Sequence, residues 1–392
     1  MRTYLGKTLR IFIGLLPIVL FVSAAGNNSP STATTIGLNI ICVDSISRAD
    51  ISNWYTFTLN NAGKINISFY SEMMDSNQDL YRITVYNASN LENSLITWFI
   101  KGYTTESNIT TLGLPQGKYY INIVSNGYWR SWPDYRFIVS YTRTDYWEKE
   151  FNDNWRNATP IELNQQYHGA ISRSNDNDWY TFTLNNAGKV NITFYLAMRD
   201  NNEEFYRINV YNALNPDNSL VNRVIKGYTT ETNITTLGLP QGKYYIRIES
   251  SGNWWSSADY GFIVNYTRTD YWEREVNDNW RNATPIELNQ QYHGAISRSN
   301  DNDWYTFTLN SAGIINITFL SERMSNNENF YRINVYNALN PDNSLVNRVI
   351  KGYTTETNID PINLSQGKYY VKIESGNWWS GSDYKFTVKI LK

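Results

Sequence analysis

The sequence repeats with a period of 125 residues, and this repeat constrains the fold more than any other feature. Tryptophans and glycines recur at that interval, at Trp54, Trp179, Trp304, Gly117, Gly242 and Gly367. Two long segments are identical in the second and third copies, residues 157–185 with 282–310 and residues 206–234 with 331–359. Solenoid units are about 20–45 residues long, whereas a copy of this length can enclose a core by itself. We therefore predict three tandem domains, over residues 37–145, 146–270 and 271–392.

Each copy shows the alternation of apolar and polar residues that is typical of β-strands. In the second copy Trp179–Leu184 alternates, a turn follows, and Lys189–Tyr195 alternates again. Further strands are predicted, separated by turn signals such as Asn215-Pro-Asp-Asn, at residues 206–211, 222–226, 233–237, 242–249 and 260–266. About seven or eight short strands without an amphipathic helix indicate an all-β chain with one antiparallel β-sandwich per copy.

The first 25 residues are typical of a secretory signal peptide. Arg2, Lys7 and Arg10 precede an apolar run at Ile11–Val22, and small residues follow that run. The run is short for a membrane-spanning helix, which needs about 20 apolar residues. We predict that residues 1–25 are removed and that residues 26–36 form a linker. The mature protein is then secreted or displayed at the cell surface, with no membrane span.

The charge of the chain argues against one class of partner. Lys and Arg number 34, Asp and Glu number 36, and no basic patch is visible in the sequence. Proteins that bind nucleic acids usually carry such a patch, so nucleic acid is not expected as a partner. The single cysteine, Cys42, lies in an apolar, strand-like segment and is predicted to be a buried, unreactive thiol.

The order of short motifs in each copy resembles the bacterial pre-peptidase C-terminal domain, a family related to the collagen-binding domains of bacterial collagenases. In the second copy the motifs are Asp178-Trp-Tyr-Thr-Phe-Thr-Leu184, Ala187-Gly188, Leu239-Pro-Gln-Gly-Lys-Tyr-Tyr-Ile246 and Tyr260-Gly-Phe-Ile-Val264. They recur at Asp303, Gly367 and Tyr384 in the third copy. The resemblance implies three jelly-roll-like sandwiches. Family members usually follow a secreted protease, and none precedes the repeats in this sequence.

Oxygen-rich clusters occur in pairs in the second and third copies. Alternation along the entry segment of the second copy places Glu148, Glu150 and Asn152 on one face, and an acidic turn follows downstream. Two such clusters brought together would supply the six to eight oxygen ligands that calcium takes. The alternative is a pair of solvated acidic loops.

The collagen-binding relatives bind calcium with a Glu-x-Glu-x-Asn-Asp entry segment and a nearby acidic turn. This resemblance implies twelve ligand residues, with Asn175 as an alternative in the turn: Glu148, Glu150, Asn152, Asp153, Asp176, Asp178, Glu273, Glu275, Asn277, Asp278, Asp301 and Asp303. The first copy departs from the pattern, because Ile51 and Asn53 stand where the second copy has Asp176 and Asp178. We expect it to hold no ion.

The sequence contains no pattern that points to catalysis. His168 and His293 are equivalent, and neither lies in a metal-protease motif or near a nucleophile elbow. The acids cluster at the domain junctions, where calcium explains them better than glycosidase chemistry does. We predict that both histidines are structural or surface residues and that the protein is not an enzyme.

The tryptophans fall into two groups. Those that begin the alternating strand, such as Trp179, are predicted to be core anchors, although Phe182, three residues on, has the opposite parity. Others lie in a turn-like segment before the last strand and are predicted to contact a ligand: Trp129, Trp254, Trp255, Trp378 and Trp379. The alternative for this second group is that the rings cap the sandwich or pack between domains.

These features predict a noncatalytic, calcium-stabilised binding protein. Its expected partner is an extracellular polymer, either a polysaccharide, a cell-wall glycan or a fibrous protein. One alternative is a subunit that self-assembles into a surface layer or filament through its edge strands. Another is an accessory to a separately encoded secreted peptidase.

Overall fold

A computed structural model of the chain is almost entirely β-strand. It describes residues 19–21, 26–46, 51–71, 77–102, 106–125, 134–173, 175–196, 204–226, 231–251, 259–297, 301–322, 328–352, 355–376 and 383–391. The chain divides into two compact units, Met1–Asp145 and Tyr146–Lys392. Within the described residues, no helix has the length and apolar character needed to cross a membrane.

The first unit contains one β-sandwich of two five-stranded sheets, and a 3-10 turn at Pro30–Thr32 leads into it. Its strands are β1 (Val19–Phe21), β2 (Thr34–Thr35), β3 (Ile41–Asp44), β4 (Ser52–Leu59), β5 (Gly63–Ser71), β6 (Asp79–Asn87), β7 (Asn90–Lys101), β8 (Glu106–Leu114), β9 (Gly117–Ser125) and β10 (Tyr135–Arg143). The strand orders are β1-β3-β10-β5-β8 and β2-β4-β9-β6-β7. Strand β1 belongs to the predicted signal peptide and pairs in parallel with β3 at the sheet edge, so cleavage would remove that pairing.

The second unit contains two sandwiches, each with a five-stranded and a four-stranded sheet. The strands of the second sandwich are β11 (Thr159–Pro160), β12 (Gln166–Ala170), β13 (Asn177–Leu184), β14 (Gly188–Leu196), β15 (Glu204–Asn212), β16 (Asn215–Lys226), β17 (Glu231–Leu239), β18 (Gly242–Ser250) and β19 (Asp259–Arg268). Those of the third are β20 (Thr284–Pro285), β21 (Gln291–Ala295), β22 (Asn302–Leu309), β23 (Gly313–Ser321), β24 (Asn329–Asn337), β25 (Asn340–Lys351), β26 (Glu356–Leu364), β27 (Gly367–Ser375) and β28 (Asp383–Leu391). In the second sandwich the orders are β11-β13-β18-β15-β16 and β12-β19-β14-β17, and the third repeats them. The predicted all-β sandwich fold is confirmed.

Asn215, where a turn is predicted, is instead the first residue of strand β16. The hairpin turn is the two residues before it, where Leu214 is 95% exposed. Pro216 is tolerated in β16 because this strand is at the sheet edge, where a missing N–H breaks no ladder bond.

The strand-initial tryptophans do not anchor the main core. In β13 the side chains of Tyr180, Phe182 and Leu184 are buried in the core between the sheets. Trp179 has the opposite parity and is buried in a separate cluster with Tyr211 and Tyr245. The predicted burial is confirmed for Trp179 and Trp304, which are 7% and 8% exposed, whereas Trp54 is only partly buried. The cluster that buries Trp179 is separate from the core between the sheets. Strict period-two alternation, with no bend, puts Trp179 and Phe182 on opposite faces.

The predicted buried thiol of Cys42 is confirmed. The residue lies in β3 with no exposed surface, and burial raises the pKa of the thiol to about 11. At neutral pH it is therefore protonated and a poor nucleophile.

Within the second unit, the entry segment of the third sandwich packs on the second sandwich. The backbone N–H of Glu275 donates a 2.7 Å hydrogen bond to the carbonyl of Gly238. A Cβ at Gly238 would collide with Trp272 and with the Glu273 carbonyl. The Lys189 ammonium lies 4.5 Å from the centre of the Trp272 ring. The entry segment therefore contacts both sandwiches of this unit.

Candidate metal centre

The entry segment of the second sandwich runs beside strand β12. Trp147 forms a parallel bridge with His168, and the Glu148 N–H donates to the His168 carbonyl at 2.9 Å. The Trp147 and His168 rings stack with centroids 5.5 Å apart. The two histidines contact the entry tryptophans in this way, since Trp272 stacks on His293 at 5.3 Å.

This pairing buries the alternate residues of the entry segment, as the sequence predicts. Glu148, Glu150 and Asn152 are 1%, 3% and 0% exposed. The Ala170 N–H donates to both carboxylate oxygens of Glu148 at 3.2 Å, which fixes that side chain above β12. The three side chains therefore face the interior of the second sandwich.

The acidic turn before strand β13 supplies two more buried carboxylates. Asp176 and Asp178 are 2% and 0% exposed. The Ser172 N–H and hydroxyl donate to Asp176 Oδ2 at 2.5 and 2.7 Å. Asp178 Oδ2 accepts a 2.5 Å hydrogen bond from the Tyr260 hydroxyl. In both residues one oxygen is held in place and the other is left for a further partner.

These carboxylates converge on one point. One oxygen each from Glu150, Asp176 and Asp178 lies within 4.8 Å of the others. Among the described residues, several buried oxygens there have no hydrogen-bond partner: Glu150 Oε1 and Oε2, Asn152 Oδ1, Asp176 Oδ1 and Asp178 Oδ1. Burying unpaired anions is costly, so this arrangement calls for a cation.

Asp153, which the resemblance implies as a ligand, has a different partner. Its carboxylate forms an ion pair with the Arg173 guanidinium and accepts from the Asn177 N–H at 3.4 Å. The structure thus brings Glu150, Asp176 and Asp178 together and places Asp153 beside them in a bridge to Arg173.

The third sandwich has a similar cluster, in which Glu273, the equivalent of Glu148, takes part instead of Asp301, the equivalent of Asp176. Oxygens of Glu273, Glu275 and Asp303 lie within 4.8 Å of one another, and all three residues are buried. Asp301 Oδ2 accepts from the Ser297 N–H at 2.5 Å, and Asn277 Nδ2 donates to Thr284 Oγ1 at 3.4 Å. Asp278 accepts from the Asn302 N–H at 3.4 Å, as Asp153 does in the second sandwich.

Burial dominates the electrostatics of both clusters. It raises the pKa values of Glu148, Glu150 and Asp178 well above their ordinary range, and the neighbouring carboxylates raise them further. Glu273 and Asp303 are raised for the same reasons. A divalent cation would reverse this balance, because a nearby positive charge favours the ionised carboxylate.

The donor set fits a hard cation. All the converging side-chain atoms are oxygens, whereas structural zinc sites use sulfur and nitrogen. Two ligands on opposite sides of a calcium ion, each about 2.4 Å from it, are about 4.8 Å apart. The clusters could therefore bind a metal ion through Glu150, Asp176 and Asp178, and through Glu273, Glu275 and Asp303.

In the second sandwich, a tyrosine pair and a glycine lie next to the carboxylate cluster. The hydroxyls of Tyr180 and Tyr260 are 2.7 Å apart, and both residues are fully buried. A Cβ at Gly169 would lie 2.5 Å from the Tyr180 hydroxyl and 2.6 Å from Glu148 Oε2, and would also collide with the Tyr260 hydroxyl. Only glycine leaves room there for the Glu148 carboxylate.

The first sandwich has a different solution at the same place. Asp44 stands at the position of Gly169, and its Oδ2 accepts from the Tyr55 hydroxyl at 2.7 Å. Asn53, at the position of Asp178, donates to the Tyr135 hydroxyl at 2.8 Å and to Asp44 Oδ2 at 3.4 Å. One carboxylate from β3 thus takes the place of the Glu148 carboxylate. Sequence reasoning missed Asp44. The signal was that the first copy, which lacks the entry glutamates, has an acid where the second copy has Gly169.

The predicted ligand-contact tryptophans are not placed. Trp129, Trp254, Trp255, Trp378 and Trp379 all lie outside the described residues.

Comparisons with known proteins gave structural likenesses only. No protein-family model matches the chain, and no curated protein matches it. One similar structure is the pre-peptidase C-terminal domain of a collagenase from Bacillus anthracis, with 25% identity, a TM-score of 0.24, and coverage of 29% of this chain and 100% of that one. The M60 catalytic domain with two CBM51 domains of Clostridium perfringens ZmpB has 9% identity and a TM-score of 0.22, covering 89% of this chain and 55% of that one.

A third similar structure is the CBM22 tandem of Paenibacillus barcinonensis Xyn10C, with 9% identity, a TM-score of 0.20, and coverage of 57% and 85%. The chain spans about half the length of the Clostridium protein. With TM-scores this low, these likenesses add no argument to the β-sandwich fold that the strands already show.

Proposed function

We propose that this chain is an exported, noncatalytic binding protein with three β-sandwich modules of the pre-peptidase C-terminal type. Calcium stabilises the second and third modules, and the protein attaches to an extracellular polymer. The observation that carries the proposal is the pair of buried, all-oxygen clusters at which an entry segment meets its own sandwich.

Calcium would be held by Glu150, Asp176, Asp178 and Asn152 in the second sandwich, and by Glu273, Glu275, Asp303 and Asn277 in the third. When bound, it would neutralise the buried carboxylates and fasten the entry segment to the sandwich. Because the third entry segment also hydrogen-bonds to Gly238, the ion would stiffen the second unit as a whole.

The location follows from the predicted signal peptide at residues 1–25. A polysaccharide, a cell-wall glycan or a fibrous protein is the expected partner class. Several modules in one chain suit attachment, because linked sites on one polymer raise the effective affinity without new contacts.

The test is thermal unfolding of the full chain with calcium or with a chelator, read separately for each sandwich by hydrogen exchange. A ligand that binds only the folded state stabilises it by about 2.7 kcal/mol at a hundredfold excess over Kd. We expect chelation to lower protection in residues 146–392 and to leave residues 26–145 unchanged. Glu150→Ala should remove the effect in the second sandwich alone, and the exposed Glu162→Ala should not. Equal shifts in all three sandwiches, or none, would refute the calcium assignment.

Self-assembly is a second candidate function, and one observation favours it. Strand β25 is a 12-residue strand at a sheet edge, and its Leu345 is 50% exposed although the identical Leu220 of β16 is 7% exposed. Long edge strands with exposed apolar residues are sites of strand pairing between molecules. Concentration-dependent large particles in size-exclusion chromatography, abolished by Leu345→Lys, would support assembly, whereas a monomer at all concentrations would exclude it.

A further inference from the structure

We propose that Gly238 and Lys189 of the second sandwich are positioning residues for the metal centre of the third sandwich. Calcium binding at the third site then depends on the contact between these two modules. This inference rests on the proposed calcium binding and concerns the regulation of one of its sites. The segment that carries the contact, here called the third entry segment, consists of residues 271–278.

The third entry segment forms backbone hydrogen bonds with the edges of two sheets. Strand β17 is at the edge of a sheet of the second sandwich, and β21 is at the edge of a sheet of the third. The Glu273 N–H donates to the His293 carbonyl of β21 at 2.9 Å, whereas the Glu275 N–H donates to the Gly238 carbonyl of β17 at 2.7 Å. The backbones of these two glutamates are therefore held by different sandwiches.

Gly238 allows the third entry segment to approach β17 closely. A Cβ at this position would collide with the Glu273 carbonyl and the Trp272 ring, and would lie 2.7 Å from Glu273 Cγ. The carbonyl belongs to the backbone and cannot rotate away, so a larger residue would displace the segment that carries Glu273 and Glu275. Oxygens of both glutamates lie within 4.8 Å of each other and of an oxygen of Asp303. A side chain at position 238 would therefore move two members of the metal cluster.

Lys189 holds the third sandwich at a second point. Its ammonium lies 4.5 Å from the centre of the Trp272 ring and 2.7 Å from Asp383 Oδ2 in strand β28. The lysine and aspartate side chains are 33% and 36% exposed, so water screens much of their attraction. The contact with Trp272 acts more directly on the site, because this ring belongs to the residue that precedes Glu273 and also stacks on His293.

The third sandwich shows that the fold itself does not require a glycine and a lysine at these positions. Asn363 of β26 stands at the position of Gly238, and Ile314 of β23 stands at the position of Lys189. These two residues are paired in their sheet, as Lys189 and Gly238 are in theirs. Both Asn363 and Ile314 are exposed. We therefore assign Gly238 and Lys189 to the contact with the following module rather than to the folding of their own sandwich.

Coupling of this kind acts in both directions. If the contact with the second sandwich strengthens calcium binding at the third site, calcium bound there must strengthen the contact by the same free energy. Strand β17 should report this effect, because its Gly238 carbonyl accepts the hydrogen bond from Glu275. Edge strands open at a lower free energy than strands in the middle of a sheet. Calcium at the third site should therefore raise the protection of β17 against hydrogen exchange.

The test is a calorimetric calcium titration of the full chain carrying Glu150→Ala, so that the third site is measured alone. Adding Gly238→Ala should raise the dissociation constant of this site at least tenfold, equal to about 1.4 kcal/mol. The matched control is Asn363→Ala, at the same strand position of the third sandwich, and it should leave the constant unchanged. In hydrogen exchange, calcium should protect β17 of the Glu150→Ala chain more than chelator does, and Gly238→Ala should abolish this difference.

A second variant keeps the proposal testable if Gly238→Ala unfolds the second sandwich. Lys189→Ile installs the residue that the third copy carries, and we expect the dissociation constant of the third site to rise about threefold. An unchanged constant in every variant that folds would overturn the positioning role and leave calcium binding standing. An equal loss of affinity in Asn363→Ala would also overturn it, because that residue does not touch the third entry segment's partner strand. No calcium binding by the unsubstituted chain would overturn calcium binding itself, and this inference with it.

Discussion

The first and second sandwiches fill the same buried position beside the tyrosine pair in two different ways. In the second, the carboxylate comes from Glu148 on the entry segment, and Gly169 leaves it room. In the first, the carboxylate belongs to Asp44 of the sheet itself and accepts from Tyr55 at 2.7 Å. In the second sandwich the tyrosine pair donates to Asp178 of the sheet, so Glu148 is an additional carboxylate that a separate segment brings to this position. The comparison teaches that the first sandwich fills the position from its own sheet, whereas the second depends on its entry segment.

The two solutions also differ in the charge that they bury. The second sandwich gathers Glu148, Glu150, Asp176 and Asp178, whereas the first replaces Asp178 with Asn53 and Asp176 with the exposed Ile51. An amide can donate to the tyrosine and the carboxylate at once, so Asn53 needs no cation. At this position the polar groups of the first sandwich are satisfied by hydrogen bonds, whereas the carboxylates of the second call for a cation.

The largest expected effect on stability comes from adding a methyl group at Gly169, the glycine that distinguishes the second sandwich from the first. Gly169→Ala places a Cβ 2.6 Å from Glu148 Oε2 and against both tyrosine hydroxyls, so the second sandwich should lose about 3 kcal/mol of unfolding free energy. Denaturant unfolding read by hydrogen exchange checks this. Gly261→Ala is the control, since its Cβ would meet side chains at 3.1 Å or more. A neutral Gly169→Ala would show that Glu148 is not confined there.

The next effect is that of Glu150→Gln on the unfolding free energy of the second sandwich, and its sign should change when calcium is added. Glu150→Gln removes a buried negative charge among carboxylates, so it should stabilise the second sandwich in chelator. With calcium at a hundredfold excess over Kd it should lose the ion's contribution, about 2.7 kcal/mol. Melting curves under the two conditions, with the exposed Glu162→Gln as control, measure the crossing. Destabilisation of equal size in both would mean that Glu150 acts by packing alone.

A smaller loss is expected from removing the acceptor of the first sandwich. Asp44→Ala leaves Tyr55 and Asn53 without their shared carboxylate, at a cost of about 1–3 kcal/mol. The loss should be the same with calcium and with chelator. The exposed Glu92→Ala serves as control in the same unfolding experiment. If calcium restored the lost stability, the first sandwich would depend on an ion at this position rather than on the hydrogen bonds of Asp44.

The smallest effect is the pH dependence that Asp44 gives to the first sandwich. Burial raises the pKa of Asp44 above its ordinary value, so the folded state binds this proton more tightly than the unfolded chain does. The resulting stability is fully present below the unfolded pKa of about 4 and is lost as pH rises through the folded pKa. Asp44→Asn should flatten the profile of unfolding free energy against pH in the first sandwich. An unchanged profile would assign the dependence to another group.

Much of the fold was predictable because its signals are local. The alternation from Trp179 to Leu184 predicted strand β13, and the spacing of Glu148, Glu150 and Asn152 predicted their common buried face. The same parity rule, applied without exception, would have placed Trp179 on the outer face. The prediction of a core anchor did not separate the core between the sheets from the smaller cluster that buries Trp179 on the outer face.

Other features depended on contacts between distant residues. Asp153 carries the motif of a ligand, yet Arg173, twenty residues on, takes its carboxylate. Gly238 is unremarkable in the sequence, and only the packing of Glu275 and Trp272 against it gives it a role.

By itself the sequence determined the three repeats, their strands and the oxygen-bearing side chains of the clusters, because repeats and alternation are read directly from the order of the residues. The tertiary structure decided which carboxylates converge, how Asp44 replaces Glu148, and how far each strand-initial tryptophan is buried. These depend on pairing between strands many tens of residues apart, such as Tyr135 with Asp44, and distances of that kind are set only when the sheets close.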